Sequence, residues 1–151
     1  MNTKQVEELT GMSRQNIRYY ERQGLLEPAR EDGNAYRDYS GEDVRRLKLI
    51  KMLRMLDMPL KEIENVINGT VSIQEAAGRQ REELEQRQRQ LQAAISVCGS
   101  LQKEKGGKVD VDGYLGKMEK MSGAGGGFAR FMDDYKQVVL EEREGMFSFY
   151  A

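Results

Sequence analysis

Histidine and tryptophan are absent from this 151-residue chain, cysteine occurs once, as Cys98, and proline twice, as Pro28 and Pro59. A single cysteine excludes an intrachain disulfide. Without imidazole, and with one thiol, soft-metal coordination within one chain is poorly served, because such sites use two or more thiolate or imidazole ligands. No run approaches the ~20 apolar residues of a membrane span, and no N-terminal apolar stretch resembles a signal peptide. A cytoplasmic protein that does not contact membrane is the expectation. No phosphate-gripping glycine loop follows a strand, the glycines at 123–127 lack that context, and no nucleophile motif is present. Asp133 and Asp134 are adjacent and so diverge on a helix. Catalysis is therefore not expected, nor is a cofactor or a bound metal.

Net charge is also missing. Lys and Arg number 24 against 25 Asp and Glu, a formal −1. Residues 1 to 105 carry 18 basic against 17 acidic side chains. Any case for nucleic-acid binding must rest on where the arginines sit. Hydrophobic content of 38% with 32% charged residues fits a helix-rich chain with a modest core.

What is present is concentrated between Asn2 and Tyr39. Asn2 with Gln5 reads as a capping box, Val6 and Leu9 share a helix face, and Gly11 ends the helix. Ser13 caps a second helix, Arg14 to Gln23, closed by Gly24. A turn this short forces a steep crossing, the helix-turn-helix arrangement. Ile17 and Tyr20 are spaced to face the first helix. Ser13, Arg14, Asn16, Arg18 and Tyr19 are left outward, where arginine and asparagine reach base edges and phosphates. The bland counterpart is a small helical core with a solvated face. Leu25 to Ala29 and Tyr36 to Tyr39 read as short strands, with Asp32-Gly33 or Gly33-Asn34 as the turn. Pro28 requires an edge strand. Arg30 and Arg37 bracket this hairpin, which makes the unit a winged helix-turn-helix.

Arg18-Tyr19-Tyr20-Glu21, then Gly24-Leu25-Leu26, then Tyr36-Arg37-Asp38-Tyr39-Ser40 with an acidic pair and Val44, form a long ordered motif. It resembles the mercury-resistance regulator (MerR) family of bacterial transcription factors, closely over the first 70 residues and by architecture over the next 35. The resemblance implies a second helix in the major groove and a wing on the flanking backbone. It implies phosphate roles for Arg18, Tyr19 or Tyr20, Tyr36 and Arg37, and base or backbone roles for Arg14 and Asn16. It also implies a second helix pair acting as a smaller wing, with Arg54 and Lys61 as backbone contacts; ordinary surface charge explains those two equally well.

Behind the wing, Ser40 with Asp43 opens a helix to about Asp57. Val44, Leu47, Ile50 and Leu53 or Arg54 trace one face, and Leu49, Met52 and Leu56 a neighbouring one, so a sandwiched helix is expected. Pro59 suits a first turn, and Leu60, Ile63, Val66 and Ile67 lead to Gly69. Ser72 with Glu75 caps a long helix to about Lys105, spanning about 50 Å. Ala77, Leu84, Leu91 and Cys98 recur every seven residues, joined by Ala94, Ile95 and Leu101, with Arg87 and Gln88 interrupting. Such a seam seeks a partner helix, and the family joins its subunits by an antiparallel coiled coil there. A homodimer presenting two recognition helices is expected. Cys98 reads as a seam residue in preference to a thiol or metal sensor, and the nine methionines as core filling.

The last 46 residues hold nine of the 16 glycines. Tyr114, Leu115, Met118 and Met121 form a short amphipathic piece, residues 122 to 127 a flexible link, and Phe128 to about Glu144 a second helix. Met146 to Tyr150 alternate like a strand. In the family this region receives the inducer, and Tyr114, Phe128, Phe131 and Tyr135, with Phe147 and Phe149, could line a pocket for a small hydrophobic effector. Packing of these aromatics on the coil is the favoured reading. The aromatic ending is also compatible with a piece of a longer protein.

The expected architecture is thus mainly α. Residues 1–70 form the winged DNA-binding domain, 71–106 the dimerisation helix, and 107–151 a glycine-rich, helical effector or packing region. The resemblance implies a regulator of double-stranded promoter DNA that bends and untwists its site on an unknown signal, acting on RNA polymerase indirectly. An architectural or anchoring DNA-binding protein without an inducer is the alternative.

Overall fold

The computed structural model describes residues 1–30, 36–123 and 128. It is mainly helical and divides into two compact units, Met1–Gln80 and Arg81–Ala151.

In the first unit, α1 (Thr3–Thr10) starts at the Asn2–Gln5 capping box, whose two reciprocal bonds are both 2.9 Å. Gly11 ends it at φ +69°, a left-handed cap that glycine adopts without steric cost. Val6 is fully buried, but Leu9 is half exposed. Thr10 takes the inward place expected of Leu9, because its hydroxyl is satisfied locally: it donates to the Val6 carbonyl at 2.8 Å and accepts from the Met12 N–H at 3.2 Å. Ser13 caps α2 (Arg14–Arg22), accepting from the Asn16 N–H at 3.2 Å. Gly24, at φ +78°, turns the chain out of α2.

The strands are shorter than the pattern suggests. β1 is Ala29–Arg30 and β2 is Arg37–Asp38, paired antiparallel with Ala29 opposite Asp38 and Arg30 opposite Arg37. Leu25 and Leu26 lie in the core, each 1% exposed, so they anchor the approach to the wing instead of extending it. The expected turn at Asp32 to Asn34 lies outside the described residues. Beyond β2, the Tyr39 N–H donates to the Met1 carbonyl at 2.8 Å.

α3 (Gly41–Met55) opens at the Ser40–Asp43 capping box. Val44, Leu47, Ile50 and Leu53 are buried against the helix-turn-helix. α3 packs against α1 and against the helix that follows it, the two-sided packing expected of it. On its second apolar face Leu49 is partly buried, while Met52 and Leu56 stay about half exposed. α3 stops two residues short of the expected Asp57, which sits at φ +62° and donates to the Arg54 carbonyl at 2.9 Å, while the Met58 N–H reaches back to Leu53 at 3.1 Å. These are the bonds of a left-handed helix stop, here built on aspartate in place of glycine.

α4 (Leu60–Ile67) follows Pro59, which occupies the cap position and accepts through its carbonyl from Glu62 and Ile63. α5 (Ile73–Gln102) begins under Ser72, whose hydroxyl accepts the Glu75 N–H at 3.1 Å. Its first turns belong to this unit: Ala76 is fully buried, and the Gln80 side-chain amide donates to the Leu56 carbonyl at 2.9 Å.

In the second unit, α5 continues to Gln102 and gives way to Gly106 at φ +94°. α6 (Val111–Gly123) starts where Asp110 accepts the Gly113 N–H at 3.1 Å. The Tyr114 hydroxyl donates to Glu104 at 2.8 Å, and that bond holds its pKa above the usual 10.0. Leu84, Leu91, Ile95, Cys98 and Leu101 are exposed along α5, as is Ala77. Ala93 is buried. Ser122 and Gly123, expected in the flexible link, end α6, whereas the rest of that link, the expected helix after Phe128 and the strand-like end lie outside the described residues.

A non-glycine residue in the left-handed region costs about 1 kcal/mol. Asp57→Gly is expected to keep or raise stability, and Asp57→Ala to lower it by roughly 1 kcal/mol relative to that glycine variant. Urea unfolding of both variants measures the order.

Candidate nucleic-acid interface

The site is built on α2. Ile17 and Tyr20 are buried in the core, which pins one side of the helix. Ser13, Arg14, Gln15 and Asn16 are then exposed in its first turn. That turn also carries backbone N–H groups without helical acceptors, which favour an anion. Tyr20 is only 8% exposed, so its assignment as a surface contact is corrected: its ring fills the core. Tyr19 is partly exposed and meets Tyr20 edge-on, with centroids 5.6 Å apart.

Beside this turn, Thr3, Arg18, Tyr36 and Arg37 line an open hollow of about 200 Å³. Three of these came from the motif. Thr3 was not singled out, since its position in the first turn of α1 gives no sign that α1 starts next to β2. Tyr36 is 75% exposed. The Arg18 Nε is buried without a hydrogen-bond acceptor among the described residues. Arg18 as a whole is partly exposed, and a guanidinium pairs readily with an anion.

Glu21 is the second residue whose role was not legible. Its carboxylate is 15% exposed and accepts from Arg37 Nε through both oxygens at 2.9 Å, with Arg30 Nη2 at 4.0 Å. Arg37 thus spends its Nε–H inside the protein, and its guanidinium carries four further N–H groups. Other expected contacts are arranged differently. Arg14 Nε lies 3.3 Å from Glu7, an exposed pair that contributes little to stability. Arg54 donates to the Met58 carbonyl at 2.7 Å, closing the end of α3. Lys61 is 80% exposed and lies 3.7 Å from Glu64 on its own helix, outside the lining of the hollow. Lys51, not foreseen, donates to the Thr10 carbonyl at 2.9 Å and ties the turn of the motif to α3.

Residues 1–70 match the family described as MerR HTH family regulatory protein. Over these residues, just under half of the chain, the sequence is similar to the MerR family. Among curated proteins it is 36% identical over 74 residues to the HTH-type transcriptional regulator ZntR homolog of Haemophilus influenzae, covering 49% of this chain and 52% of that protein. It is 37% identical over 67 residues to HmrR of Rhizobium leguminosarum, covering 44% and 51%. The chain therefore spans about half the length of the curated relatives it matches. The crystal structure of the transcription regulator PbrR691 from Ralstonia metallidurans, in complex with lead(II), superposes with a TM-score of 0.62 at 25% identity, over 78% of this chain and 98% of that one. A MerR-family regulator from Bacillus cereus shares the fold, at TM-score 0.54 and 23% identity, over 80% and 95%.

Tyr39, which follows β2 directly, is 2% exposed. Burial pushes its phenol above the usual 10.0, with Glu21 adding to the rise and Thr3, Arg37 and Arg18 opposing it. A raised folded-state pKa contributes stability that is present below the unfolded value of 10.0 and is lost as pH rises past it. The domain should therefore weaken above about pH 10, and Tyr39→Phe should flatten that loss. Urea midpoints from neutral to strongly alkaline pH read both.

Proposed function

We propose that this chain is a dimeric, sequence-specific DNA-binding transcriptional regulator of the MerR family. In this reading residues 1–70 bind double-stranded promoter DNA, 71–106 join two copies, and 107–151 receive an effector. The observation that carries it is the exposed first turn of α2 beside the cationic hollow of Thr3, Arg18, Tyr36 and Arg37. Arg14 and Asn16 read base edges in the major groove, Ser13 and the helix start meet a phosphate, and the hollow takes a neighbouring phosphate. Arg30 and Lys61 add long-range attraction. Its curated relatives are named as transcriptional regulators, which supports regulation over anchoring.

Dimer formation is supported by the exposed stripe Leu84, Leu91, Ile95, Cys98 and Leu101 on α5, continued from Ala77. Apolar side chains at a seven-residue repeat leave water by pairing with a second helix. Two copies would then engage two half-sites, and strain in the bound duplex, on the order of 1–6 kcal/mol for a sharp bend, would be set by the effector and sensed by RNA polymerase. The effector in this reading is a small apolar molecule. Tyr114 and Phe128 are partly covered, which fits an aromatic site; Phe131 and Tyr135, assigned with them, lie outside the described residues. Among the described residues no group of three or more His, Cys, Asp or Glu side chains is placed to hold a metal.

Selection of bound duplexes from a random pool tests the reading; equal affinity for all sequences would overturn it. Arg14→Ala should change the preferred bases. Arg18→Ala should weaken all duplexes alike and reduce the salt slope by about one. Leu91→Glu should convert a sedimenting dimer to monomer and cost at least tenfold in binding, about 1.4 kcal/mol.

A further inference from the structure

The wing sets two like charges face to face. β1 and β2 are two residues each, and their register sets Arg30 directly opposite Arg37. Like charges facing each other across an antiparallel pair are destabilising, and a two-stranded hairpin is marginally stable on its own. A carboxylate from α2 lies against both: Glu21, 2.9 Å from Arg37 Nε and 4.0 Å from Arg30 Nη2.

We propose that Glu21 is the positioning residue of the wing, joining its two opposed arginines to the recognition helix so that Arg37 faces the hollow with its terminal N–H groups. Glu21 touches no DNA in this arrangement. It fixes the distance between the helix that reads bases and the strand that meets phosphate. A carboxylate beside a phosphate site would by charge alone oppose binding, so its presence there at 15% exposure calls for a structural return. That return is the geometry of Arg37.

The two effects of removing the charge have opposite signs, which makes the test sharp. If Glu21 acted only as a negative charge, Glu21→Gln in the full chain would tighten binding to a mixed-sequence duplex and steepen its salt dependence. Positioning requires the reverse: affinity falls about tenfold and the salt slope drops by about one, because Arg37 no longer meets its phosphate. A second readout needs no DNA. The Tyr39 amide, bonded to Met1 just after β2, reports wing order by hydrogen exchange. Its exchange should quicken about tenfold in Glu21→Gln and return toward wild type when Arg30→Gln is added, since that removes the cross-strand repulsion.

The affinity arm rests on the DNA-binding reading and the exchange arm does not. Wild-type protein that binds no duplex, with Tyr39 still loosened by Glu21→Gln, would sink the reading and leave the wing assignment standing. Tighter binding by Glu21→Gln, or unchanged Tyr39 exchange, would overturn the assignment itself. Should Glu21→Gln not fold, Glu21→Asp keeps the charge, shortens the reach and gives the same comparison at smaller amplitude.

Discussion

Everything at the candidate interface depends on burying one side of α2. Ile17 is fully enclosed and Tyr20 nearly so, in the cluster that also holds Val6, Leu47 and Ile50. Packing at this density leaves a short helix one rotational setting. With that setting fixed, Ser13, Arg14 and Asn16 have nowhere to go but outward. The apolar side of the helix thus determines the orientation of its polar side.

Charge plays a narrower part. The chain is almost neutral, so the protein does not approach an anion with a general positive field. Its basic residues are instead tethered one by one: Arg37 to Glu21, Arg14 to Glu7, Lys51 to the Thr10 carbonyl, Arg54 to the Met58 carbonyl. Two of these hold structure outright. The others are held in place while part of each guanidinium stays available, a compromise between order and reach.

Local signals were legible where chemistry is local. Capping boxes at Asn2 and Ser40, the cap at Ser13 and the stop at Gly11 depend on residues three or four apart, and the structure has each of them. Long-range pairings were not. That Glu21 meets Arg37, or that Thr3 joins Arg18 at one hollow, follows from how α1, α2 and β2 converge, which no spacing encodes. The inward turn of Thr10 over Leu9 has the same origin: a hydroxyl that can bond its own helix loses its penalty for burial. Leu25 and Leu26 looked like strand because apolar runs without periodicity fit either strand or core.

Gln80 offers a last consequence. Its amide closes the Leu56 carbonyl at the end of α3, and Ala76 beside it is wholly enclosed, although both belong to the helix that runs on into the second unit. A fragment trimmed at the family match, after Thr70, would strip off this last layer and leave a helix end open to water. The excisable piece of this protein is therefore ten residues longer than its recognisable one, because the helix that closes the first unit is the same helix that opens the second.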